Sequence, residues 1–70
     1  MKPAQFAAIR ERLGLSAYAF ARALGYEGNR NTLQVIVARF ESGNREIPTG
    51  IARLAMLLDE RKAVPKEFMR

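Results

Sequence analysis

The chain contains no cysteine and no histidine. Without cysteine there is no disulfide and no thiolate to hold a metal. Without histidine the commonest general base and the commonest metal ligand are both missing. Long apolar runs are absent as well, because Arg, Glu or Asp breaks each stretch within a few residues. None approaches the ~20 residues that span a bilayer. The N-terminal MKPAQFAAIRER lacks the uninterrupted apolar core of a signal peptide. No glycine loop of the phosphate-cradling kind occurs, and Ser16 and Ser42 have no plausible base. Asp59 and Glu60 are adjacent acids beside Arg61 and Lys62 and read as a solvated charge cluster. The expectation is a soluble, cytoplasmic protein that is not an enzyme and needs neither metal nor cofactor.

What is present is charge and helical periodicity. Seventy residues make one domain at most, and a chain of that size buries only about 60% of its unfolded surface. Its stability must come from compact helix packing, aided or not by a partner subunit. Twelve Lys and Arg against seven Asp and Glu leave a net +5. Residues 1–22 carry +3, residues 23–45 carry +1 and residues 46–70 carry +1, with acids interspersed. That is a basic folded surface rather than a polybasic tail. It suits a polyanion such as DNA, RNA or anionic lipid; the plainer reading is solubility.

Period-2 alternation is nearly absent, and the apolar residues recur at helical spacing. Pro3 opens a first helix of about 3–13 whose Phe6, Ile9 and Leu13 share a face, and Gly14 stops it. Ser16 caps a second, about 17–24, with Phe20, Ala21 and Leu24 inward and Tyr18 and Arg22 outward. After the polar turn Tyr26–Asn31, Asn31 is expected to cap a third helix of about 32–42. Leu33, Ile36, Val37 and Phe40 are its inward side and Gly43 its stop. The β-branched LQVIV leaves a strand as the alternative there. Pro48 opens a fourth helix to about Arg61, with Ile51, Leu54, Ala55 and Leu58 inward. Residues 1–62 are read as one all-α domain, a compact bundle of four to five short helices. Residues 63–70 are a tail in which Pro65 forbids a continuous helix.

A helix, a turn and a second helix that starts with polar residues is the helix-turn-helix pattern. Its second helix must stand proud, seat one face in the core and offer short polar or small apolar side chains to base edges. The outer side of the third helix carries Asn31, Val35, Ala38 and Ser42 at its centre, with Thr32, Gln34 and Arg39 flanking. Asn and Gln pair with adenine, Arg with guanine, and Val or Ala touches the thymine methyl. Asn31, Thr32, Gln34, Val35, Ala38 and Arg39 are the candidate base readers; Tyr18, Arg30, Asn44 and Arg45 are candidate phosphate contacts. The alternative for Val35 is packing on the long turn or on a partner chain, and for Arg45 simple solvation.

The fragments IRERLGLS, FARALG, ARFESGNREIP and IARLAMLL, in that order, resemble the phage-repressor and Cro-type (Xre-like) helix-turn-helix family over about residues 6–58. The resemblance implies a lambda-repressor-like bundle that binds duplex DNA, usually as a homodimer, and commonly represses transcription in phages or toxin–antitoxin pairs. It also implies that Arg10 and Glu41 pair to brace the third helix against the first; the alternative is two independent surface charges. It places Asn44 and Arg45 along the phosphate backbone. Two features depart from it. Ala17 stands where many relatives carry a DNA-contacting Gln. The joint of residues 25–31 is longer than the usual three to four residues, so either the third helix starts earlier or YEGNRN is an insertion.

The rival reading is a protein-interaction module. Met56, Leu57, Val64, Phe68 and Met69 supply apolar surface for a homodimer, a toxin or another protein. Back-packing of the tail onto the core is the equal alternative. A membrane-surface role is disfavoured because no single long helix gathers the basic and apolar faces. RNA binding lacks the aromatic platforms of single-strand readers.

Overall fold

In the computed structural model, which describes residues 1–61, the chain forms α1 (Pro3–Leu13), α2 (Ala17–Ala23), α3 (Arg30–Ser42) and α4 (Thr49–Arg61) and, among those residues, no strand. LQVIV is therefore helical. No helix among the described residues is long and apolar enough to cross a membrane.

Each boundary has a local cause. Pro3 sits in the first turn of α1, where its missing N–H removes nothing. Gly14 closes that helix at φ 70°, and the Leu15 N–H reaches back to the Arg10 carbonyl at 3.2 Å. The Ser16 hydroxyl accepts the Ala19 N–H at 3.1 Å and starts α2. Gly25, at φ 97°, lets the Tyr26 N–H return to the Ala21 carbonyl at 3.0 Å and ends it.

The start of α3 corrects the sequence reading. Asn29, not Asn31, is the cap: its Oδ1 accepts the Thr32 N–H at 2.8 Å, and Arg30 and Asn31 lie inside the first turn. The helix begins two residues earlier than expected, which shortens the α2–α3 joint to residues 24–29. Asn29→Ala is expected to lower stability by about 1 kcal/mol, a shift of roughly 4–8 °C in Tm for a domain this size. Asn31→Ala, which removes no cap, should leave the thermal melt nearly unchanged. Equal losses from the two would undo the assignment.

The core is built on three phenylalanines from three helices. Phe6, Phe20 and Phe40 are each fully buried. The Phe6 ring lies 4.9 Å from Phe20 and 5.5 Å from Phe40, centroid to centroid. These are tilted and edge-on contacts, the arrangements the ring quadrupole favours. Leu33 and Val37 complete the inner face of α3, and Leu15, Leu24 and Ile47 close the gaps between elements. α3 packs on α2 and on α1, while α4 packs on α1.

The fourth helix is rotated from the expected orientation. Ala52 and Ala55 are its buried residues, whereas Leu54, expected inward, is 42% exposed. The same rotation brings Asp59 to α1, where Arg12 Nη2 and Nε donate to its two carboxylate oxygens at 2.8 and 3.0 Å. Asp59 is thus a tie between the first and last described helices rather than part of a solvated cluster.

Candidate nucleic-acid interface

α3 is anchored on one side and bare on the other. Leu33, Val37 and Phe40 are wholly buried, while Asn31, Thr32, Gln34, Val35, Ala38 and Arg39 are all exposed. Asn31, Thr32, Val35 and Arg39 come together with Ile36 and Arg45 around an open groove of about 470 Å³. Gln34 and Ala38 lie on the same outer half of the helix but outside that groove. Ile36, expected in the core, is only half-buried and forms part of the groove wall. The groove lining holds two arginines and no acid.

Arg45 reaches this groove because the turn after α3 is pinned back on the helix. Gly43 takes φ 84°, which an L side chain rarely adopts. The Arg45 N–H then donates to the Arg39 carbonyl at 3.3 Å, and its guanidinium lies 5.7 Å from the centre of the Phe40 ring. The Ser42 hydroxyl donates to the same Arg39 carbonyl at 3.2 Å and accepts the Asn44 N–H at 3.4 Å. Asn44 and Arg45 are both exposed.

At the other end, the Arg30 guanidinium sits 4.4 Å over the Tyr18 ring. This joins two candidate phosphate contacts into one unit across the α2–α3 joint. Arg30 is the first residue of α3, and that helix has no acid in its first turn. A cation at the positive end of a helix is unfavourable by a few tenths of a kcal/mol; the ring face returns roughly 0.5–1 kcal/mol.

The carboxylate of α3, Glu41, is held away from the bare face. Arg10 Nε donates to its Oε2 at 2.6 Å and Nη2 to its Oε1 at 3.2 Å, while Nη1 donates to the Leu15 carbonyl at 3.2 Å. The two side chains are 25% and 19% exposed. The hydrogen bond to Glu41 raises the Arg10 pKa above its ordinary value, against the opposing effect of burial. A raised folded-state pKa contributes stability below the ordinary arginine range and loses it only as pH climbs past the folded value. The guanidinium side of the brace is therefore constant through neutral and acidic pH.

Of the residues expected to form an apolar docking surface, Met56 and Leu57 are 52% and 46% exposed. Val64, Phe68 and Met69 lie outside the described residues. Sequence reasoning missed the roles of Asn29, Ile36 and Asp59. Asn29 had a signal: it follows Gly28 and stands three residues before Thr32, the spacing of a cap and the N–H it satisfies. Asp59 had none, since its partner lies 47 residues away.

Comparison with family models, with curated proteins and with solved structures gave no match.

Proposed function

We propose that the protein is a small sequence-specific DNA-binding regulator, a repressor acting by occupancy, whose α3 enters the major groove as the second helix of a helix-turn-helix. The observation that carries this reading is the outer face of α3. It leaves Val35 and Ala38 in water between polar residues, Arg30, Arg39 and Arg45 surround it, and its acid is tied back to α1. Small apolar groups among amide and guanidinium groups are what base edges with methyls and acceptors require. Arg45 and Arg30, at the two ends of the helix, contact phosphates. A phosphate beside Arg30 also reverses the unfavourable dipole term there. The joint of residues 24–29 remains longer than the usual three to four residues, and the Tyr18–Arg30 stack spans it.

The test is recovery and sequencing of fragments bound by the purified protein from sheared DNA of its source organism, at about 150 mM salt, where phosphate-only binding is weak. A recurrent motif is expected. Uniform weak recovery would reduce the activity to nonspecific binding. No recovery would favour the protein-interaction reading, which the exposed Leu54, Met56 and Leu57 support. Within the DNA reading, anchors and readers separate. Arg45→Gln should weaken all sequences alike and reduce the salt slope by about 1. Gln34→Ala should cost about 1–3 kcal/mol at one base pair only. Identical behaviour of the two on every sequence would refute that division.

A further inference from the structure

α4 turns one face to α1 and leaves another uncovered. Leu54 and Leu57 are 42% and 46% exposed, and Gly50, Arg53, Glu60 and Arg61 around them are exposed too. At about 100° per residue, Gly50, Leu54, Leu57 and Arg61 fall in one stripe, and Arg53 and Glu60 fall together on one flank of it. Half-buried Ile51 and Leu58 extend the apolar surface toward the core. Among the described residues neither Arg53 nor Glu60 has an ion-pair partner.

We propose that this face is covered by the same face of a second copy of the chain, α4 antiparallel to α4, about a two-fold axis passing between Met56 and Leu57. The charges choose both occupant and direction. Arg53 and Glu60 stand two helical turns apart on the same flank. A two-fold axis perpendicular to the helices reverses their direction but keeps the flank, so each Arg53 comes opposite Glu60 of the second copy, twice over. A parallel pair has its two-fold axis along the helices, which exchanges the flanks and leaves Arg53 and Glu60 of each copy on opposite sides, with neither charge paired. Leu57 meets its own copy beside the axis. On the other flank the aliphatic stem of Arg61 lies over Leu54 of the second copy, with its charge in water. Such a contact falls short of the roughly 1,000 Å² of a stable interface, so the association is weak and governed by concentration. None of this depends on DNA, and the measurement is made without it.

The full chain is followed by sedimentation equilibrium from micromolar to millimolar concentration. A monomer–dimer equilibrium is expected. Arg53→Glu alone and Glu60→Arg alone should each raise the dissociation constant about tenfold or more, by setting like charges opposite one another. The double exchange, R53E with E60R, should restore it to near the starting value. Both residues are exposed, so the thermal melts of all three variants should match that of the parent. Leu57→Lys should leave a monomer of unchanged Tm. A dimer indifferent to the charge exchanges uses another face and overturns the proposal. So does a chain that stays monomeric throughout. If Leu57→Lys then also lowers the Tm, the chain's own residues beyond Arg61 are what cover the stripe.

Discussion

Val35→Glu is expected, on the proposal that α3 enters the major groove, to lower affinity for the specific DNA site by about 100-fold or more, some 2.7 kcal/mol, while leaving the fold as stable as before. The two halves of this expectation have separate causes. Val35 is 47% exposed and outside the core, so little apolar burial is lost. Glu also has the higher helix propensity of the two. At position 35 it lies four residues ahead of Arg39, the favourable order for an ion pair along a helix. The melt should therefore be unchanged or slightly higher.

The effect on DNA has the opposite sign. The new carboxylate stands in the groove that Asn31, Thr32, Ile36, Arg39 and Arg45 line. There it repels phosphate, meets major-groove acceptors with no proton to offer, and engages Arg39 before a base does. Val35→Ala is the graded control. It removes only methyl contacts, so its loss should be small and confined to sites with a thymine at the contacted position. Affinity and Tm measured on the same samples decide the matter. A Val35→Glu protein that binds the recovered motif like the parent would mean that α3 does not enter the groove.

How much of this was legible before the structure depends on range. Gly14, Ser16 and Gly43 act within one turn of their own backbone, and the boundaries they set agree with the helices observed. Asn29 and Asn31 were ambiguous because both are capping residues and both precede a helical stretch. Only the backbone conformation decides, and Asn29 is the extended one. The errors in α4 are one error. Helical period fixes which residues share a face, but the identity of the buried face depends on what lies opposite. Small Ala52 and Ala55 lie on the face that packs against α1, and a rotation of about 80° on the helical wheel then exposes Leu54 and delivers Asp59 to Arg12. A rule that ranks leucine above alanine for burial cannot see this. The outer face of α3 was legible because it is defined by what the core leaves over. The groove beside it was not, because Arg45 arrives there through a turn whose hydrogen bonds the sequence does not display.

Arg10→Ala is expected to lower the stability of the whole domain by about 2–3 kcal/mol. A fully buried pair broken on one side loses about 3–5 kcal/mol, and an exposed pair about 0–1. With side chains 25% and 19% exposed, this pair lies between those limits and nearer the first, because the guanidinium makes three charge-assisted bonds. At roughly 4–8 °C per kcal/mol the Tm should fall by about 10–20 °C. Arg10→Lys should fall part of the way, since an ammonium cannot form the fork to Glu41 and also reach the Leu15 carbonyl. A loss below about 1 kcal/mol would show a solvent-screened pair and leave the phenylalanine cluster alone to seat α3.

On the proposed DNA reading the brace also bears on binding, in a way stability alone does not report. Leu33, Val37 and Phe40 seat one face of α3 in the core; the Arg10–Glu41 fork adds a directional tie between its last turn and α1. It also keeps a negative charge off the outer face. Once Arg10 is gone, Glu41 is free to turn toward the phosphates. Adding Glu41→Gln to the Arg10→Ala protein should therefore recover part of the lost DNA affinity, because no carboxylate remains to repel the backbone. It should recover less of the lost Tm, because the three bonds from the guanidinium stay missing. If the two quantities rise in the same proportion, the brace acts on DNA binding only through folding, and the separate electrostatic role assigned to it is wrong.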